Sequence, residues 1–181
     1  MKTIYRLIMI GLLLTLPTYG ATLQDLDNIV NLARPVCNDH KLICTFKVIE
    51  FPRPLAYTKF NNITLSNKTV EILTEDELRS VVFHEVAHAV LRHSNLGQQY
   101  VLSIYNKGRQ PTQDEIKAFR HKVELDADRY STILLYQYGY ITKLPEALAK
   151  LSNKKYSEES LTHPSDRDRI NNIRNLQRIL K

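Results

Sequence analysis

Glycine is scarce in this chain. Five occur in 181 residues, and none belongs to a Gly-rich loop of the kind that cradles phosphate through backbone N–H groups. Cysteine is scarcer still: Cys37 and Cys44 are the whole supply, so no second pair exists to complete a thiolate metal site. The chain has no low-complexity tract, no internal repeat and no motif for RNA or DNA, so nucleic acid is not an expected partner. After the first twenty residues, no apolar run approaches the roughly 20 residues that a membrane-spanning helix requires. Neither sign of charge dominates. Lysine and arginine number 25 against 19 acidic residues, a formal +6, which permits contact with a membrane surface or an acidic partner without requiring it.

What is present begins with a leader. Lys2 and Arg6 give a short positive start, Leu7 to Leu16 is apolar, and Pro17 breaks that run. Thr18 and Gly20 place small residues at the −3 and −1 positions of a cleavage site, so residues 1–20 are expected to be a signal peptide. An uncleaved anchor is the competing reading. The expected mature chain, residues 21–181, is one soluble domain exported to the periplasm or beyond, and losing Lys2 and Arg6 takes its charge from +6 to +4. In an oxidising compartment Cys37 and Cys44 are expected to form a disulfide, with metal binding as the alternative.

Along the chain, "TLQDLDNIVNLARP" sets Leu23, Leu26, Ile29, Val30 and Ala33 on one helical face, and Pro35 is expected to stop that helix. "CTFKVIEF" reads as a strand, and "LAYTKFNNITLS" as two short strands around a turn at Asn61-Asn62. Thr74 with Glu77 forms a capping box that opens a helix running to about Ser94. Residues 95–111 read as a connecting segment. A second box, Thr112 with Glu115, opens a long helix to about Tyr138, which Gly139 ends. "LPEALAKL" and "HPSDRDRINNIRNLQRIL" are amphipathic, the latter with Ile170, Ile173, Leu176 and Leu180 inward. Mostly helical, with a small sheet near the front, the pattern predicts an α+β fold.

The chemistry concentrates in "VVFHEVAHAVLRH", residues 81–93, apolar enough for a core helix yet holding three histidines and a glutamate. Burying such groups without partners costs several kcal/mol, roughly 2–7 for a neutral polar group and more for a charge. On a helix, residues four apart are rotated by only about 40°, so His84 and His88 share a face one turn apart and can hold one zinc ion. Glu85 can reach a water on that metal, in the H-E-x-x-H arrangement where the glutamate is the general base. His93 lies about 140° round the same helix from His88, so it is expected to face another helix or solvent and to hold nothing catalytic. Leu91 and Ser94 stand where a metzincin needs glycine and histidine.

A catalytic zinc needs a third protein ligand. In "FRHKVELDADRYS", residues 119–131, Glu124 and Asp128 share a face, with Ala127 small enough for close helix approach. Glu124 can be that ligand, and Asp128 can accept the free N–H of a zinc histidine, His84 first. Alone, the two carboxylates read better as partners of Arg120, Lys122 or Arg129 on a solvated face; beside the first motif, the ligand reading takes precedence.

These motifs together resemble the gluzincin zinc metallopeptidases that include the CAAX prenyl proteases, HtpX and the Oma-type peptidases. "LTEDELRSVVFHEVAHAVLRHS" is similar to that family's active-site helix, "ELDAD" to its E-x-x-A-D motif, and "THPSDRDRI" to its later H-P…R-I segment. "YGYITKLPEALAKL" sits where the family has its small helix, and the likeness covers about residues 40–181. The resemblance implies a mostly helical zincin-like domain with a small sheet over the active-site helix, one Zn2+ per chain and endopeptidase activity. It further implies an extended polypeptide substrate added to an edge strand around Ala56 and Tyr57. The family's edge strand usually carries Asn-Ala, where this chain has Leu55-Ala56, so the match departs there.

His163, in the loop before the terminal helix, is expected to stabilise the oxyanion because its family counterpart lies near the cleft; capping or packing of that helix is the alternative. Arg169 is expected to make a structural ion pair. Substrates among exported or misfolded proteins follow from the family alone. Two other functions compete: a latent or inactive metal-binding relative acting as an interaction module, its terminal segment lying over the cleft, and a membrane-associated structural protein held by an uncleaved leader.

Overall fold

The computed structural model describes residues 20–152 and 160–181. The expected signal peptide, apart from Gly20, lies outside the described residues. Helix α3 (Glu75–Val90) is the centre of the molecule. Thr74 accepts from the N–H of Glu77 while the Glu77 carboxylate receives the N–H of Thr74, so the expected capping box opens it. Of its 16 residues, 13 are buried, as a helix without a polar face requires. Around it lie α1 (Leu23–Asp39), α5 (Gln113–Gln137), α6 (Leu144–Leu151) and the sheet; α7 (Asp166–Leu180) packs on α5 and α6.

Three strands form the sheet: β1 (Thr45–Ile49), β2 (Ala56–Lys59) and β3 (Asn62–Ser66), in the order β1-β3-β2. β3 is the middle strand, parallel to β1 and antiparallel to β2, with Ile63 and Leu65 in the core. β2 is left as an edge strand lying against α3. A short helix α2 (Asn67–Ile72) then leads into α3, and α4 (His93–Tyr105) follows it. The fold is α+β. Among the described residues no helix is long and apolar enough to cross a membrane.

Three boundaries differ from the sequence-based expectation. Helix α1 runs through Pro35 to Asp39, because burial of Val36 and Cys37 holds its last turn; the carbonyl that proline leaves unbonded belongs to Asn31 on the exposed side. The hairpin turn falls at Phe60-Asn61, one residue early, with Phe60 at φ 58 and Asn62 already in β3. Helix α3 ends at Val90, not Ser94. Arg92 takes the left-handed conformation (φ 55, ψ 38), so the chain turns and residues 93–105 form a helix of their own where a connection was expected. The long helix α5 stands where its capping box predicts, and the small α6 and the terminal α7 where their apolar spacing predicts. Cys37 and Cys44 form the expected disulfide.

Candidate metal and active site

His84 and His88 project from one face of α3 and Glu124 comes from α5, the helix most closely packed against it. Ala127, fully buried, permits that approach. His84 Nε2 lies 3.1 Å from His88 Nε2 and 3.5 Å from Glu124 Oε2, and His88 Nε2 lies 3.4 Å from Glu124 Oε1. A tetrahedral zinc with bonds of about 2.0–2.1 Å sets its ligand atoms roughly 3.3 Å apart. The three residues therefore fit the ion, and the donor chemistry, two imidazoles and a carboxylate, suits zinc as well. Glu124 Oε2 is buried without a hydrogen-bond partner among the described residues, as expected of an atom oriented for a metal.

Charged groups behind the cluster fix it. Asp128 Oδ1 is 3.0 Å from His84 Nδ1, though off the line of a well-formed hydrogen bond. Arg169 grips Asp128 with both prongs, Nε on Oδ2 at 2.8 Å and Nη2 on Oδ1 at 2.7 Å, and its Nη1 lies 3.4 Å from Glu124 Oε2. Arg169 thus makes the structural ion pair the sequence suggested, and α7 is tied to the ligand helix through it. Arg120, Lys122 and Arg129 are not the partners of these buried carboxylates.

Burial and charge separate the titrations. Burial disfavours a charged His84, but Asp128 and Glu124 outweigh it and raise the imidazole to about 10. Burial and the neighbouring His84 together push His88 down to about 3. Burial works against ionisation of Asp128 and Glu124, yet Arg169 and His84 hold both carboxyls below the ordinary range, Asp128 at about 2. Glu85 goes the other way. Its burial raises the carboxyl, only partly opposed by His84 and by a hydrogen bond from Thr58.

His93 does not face away. The break at Arg92 swings it back, so that it is buried with Nδ1 2.9 Å from His88 Nδ1 and the two rings packed edge to face at 4.9 Å. A continuous helix would have carried it off the face, and the left-handed residue is an arginine, so no glycine signalled the turn. His163 sits at the mouth of the cleft. Its Nε2 is 3.8 Å from Glu124 Oε1 and its Nδ1 is 2.8 Å from Thr162 Oγ1, while the mutually close donor atoms are those of His84, His88 and Glu124.

These groups open into a cleft of about 1300 Å³. Ala56, Tyr57 and Thr58 of β2 form one wall, and Val81, Leu144, Leu148, Phe119 and Val123 contribute apolar surface elsewhere. The β2 edge is held at both ends: Leu55 N–H donates into Ser66 and Thr69, and Phe60 N–H donates to Ser94 Oγ at 2.8 Å.

Residues 24–108 match the model of Peptidase family M48. The matched segment runs from α1 through α4 and contains His84, Glu85 and His88, and with the donor cluster it supports a zinc metallopeptidase. Glu124, Asp128, His163 and Arg169 lie beyond it. No curated protein matches the chain.

Proposed function

We propose that this chain is a zinc-dependent endopeptidase that cleaves extended segments of exported polypeptides, misfolded ones included. One observation carries the proposal: three donor atoms at zinc-ligand spacing stand beside a buried glutamate, Glu85, at the base of an open cleft. His84, His88 and Glu124 would hold the metal, with Asp128 orienting His84 and Arg169 balancing the two carboxylates. When bound there, zinc supplies Lewis acidity, lowering the pKa of a water and polarising a carbonyl.

The chain's own groups do the rest. Glu85 takes a proton from the attacking water and returns it to the leaving amine; its burial makes it a stronger base than an exposed glutamate. The unpaired edge of β2, at Ala56 and Tyr57, offers main-chain hydrogen bonds to a substrate strand, a mode with little demand on sequence. His163, its Nδ1 engaged by Thr162, has Nε2 available to donate towards the developing oxyanion. The Cys37–Cys44 disulfide is compatible with an exported protein.

The test is cleavage of an unfolded protein by the zinc-loaded chain and by Glu85→Gln, with zinc content measured in both. Cleavage by the parent alone is expected. Equal cleavage by the two removes Glu85 from the chemistry, and silence of both with zinc retained favours a latent or inactive relative.

A further inference from the structure

Glu85 is 6% exposed, and among the described residues the one side chain that hydrogen-bonds to its carboxylate is Thr58. Thr58 Oγ1 is 2.7 Å from Glu85 Oε2 and 2.9 Å from the Glu85 backbone oxygen. The hydroxyl therefore sits between the carboxylate and the helix that carries it. It has one proton to donate. The backbone oxygen already receives a helical N–H from four residues on, whereas Oε2 depends on Thr58. Donation to Oε2 is thus the arrangement that leaves no buried acceptor unpaired.

Thr58 itself cannot drift. It alternates with Tyr57 so that Ala56 and Thr58 face α3 while Tyr57 and Lys59 face outwards. It pairs across the sheet with Ile63 in the core, and the hairpin beyond it is anchored by the Phe60–Ser94 hydrogen bond.

We propose that Thr58 is a positioning residue for Glu85: its hydroxyl donates to Oε2, fixes the carboxylate plane and leaves Oε1 as the atom that exchanges the proton. In the reaction one O–H bond of water breaks as Oε1–H forms, and that proton then passes to the leaving nitrogen, so Glu85 ends as it began. With Oε2 occupied by the hydroxyl proton, Oε1 is the oxygen left to take the proton. Because Thr58 belongs to the strand offered to substrate, one residue couples the docking edge to the base. This rests on the peptidase reading and adds a specific role to β2 within it.

Valine matches threonine in shape and lacks the hydroxyl; serine keeps the hydroxyl. Thr58→Val is expected to lower kcat at least about tenfold with KM changed less than about twofold, and Thr58→Ser to recover most of the loss. A second readout does not depend on turnover. In zinc-loaded protein carrying 13C-labelled glutamate, the infrared carboxylate band lost in Glu85→Gln should move in Thr58→Val and stay in place in Thr58→Ser. An unmoved band in Thr58→Val overturns the hydrogen bond whatever the kinetics. A shifted band with kcat intact, or a serine variant as slow as the valine one, overturns the positioning role. A parent that binds zinc and never cleaves overturns the peptidase reading, and with it this role, while the band still reports on the bond.

Discussion

His93 shows how much one side chain can do without touching a metal or a substrate. With a metal on His88 Nε2, His88 Nδ1 would carry the remaining proton, and His93 Nδ1 at 2.9 Å would accept it. That bond would fix the tautomer and ring plane of a candidate ligand. His93→Leu should weaken zinc binding about tenfold to a hundredfold in a chelator competition, with His93→Asn recovering part of it; unchanged affinity in the leucine variant sinks the role. Arg169 is a second such case. Replacing it by leucine strands two buried carboxylates and should cost about 3–5 kcal/mol in urea unfolding. Arg169→Lys should recover little, since a point charge cannot fork onto both oxygens of Asp128. His84 adds a pH signature. Raised to about 10 by Asp128 and Glu124 against burial, it is expected to carry a proton at neutral pH in metal-free protein, with His88, pushed down by burial and by His84, expected neutral. Zinc uptake near pH 7.5 should therefore release the His84 proton, measured by titration calorimetry in buffers of differing ionisation enthalpy. No release would contradict that ordering. The same raised value means that His84 contributes stability to the metal-free fold which is complete below about pH 6.5 and lost as pH rises towards 10.

At the scale of elements, the site depends on where helices stop. α3 ends two residues before Arg92, and the left-handed turn there both begins α4 and returns His93 to the ligand face. Arg92→Gly, which removes the strain of a side chain at φ 55, should keep zinc binding and raise the melting temperature slightly, whereas Arg92→Val should lower both. At the other end, α1 continues past Pro35 because its last turn is buried and cross-linked. The disulfide joins cysteines seven apart in sequence. Replacing both by alanine should cost at most about 2.5 kcal/mol on the chain-entropy model, read as a lower urea midpoint with the metal site intact. The sequence showed where α3 and α5 begin, since threonine caps are local chemistry. It did not show the α3–α4 break or the continuation of α1, since each goes against local propensity and is held by packing from distant residues.

For the whole molecule, the candidate ligand set is a product of two helices and a third that locks them. The spacing of His84, Glu85 and His88 fixes their shared face on any helix, and that of Glu124 and Asp128 does the same on α5. From these the sequence picked out a candidate metal site and a proposed base, and it indicated the mostly helical α+β fold. Which faces meet was decided by α3 burying nearly its whole surface, which brings α5 to one side, β2 to another and Arg169 of α7 in behind the carboxylates. His93 turning inward, Thr58 meeting Glu85 and Arg169 bridging Asp128 and Glu124 are contacts between residues from 5 to 45 positions apart whose geometry depends on the turn at Arg92 and on packing across the core. Periodicity and caps act within a turn or two of chain, and they carry no information about such distances. The sequence therefore specified the donors, and the tertiary structure decided what holds each of them in place.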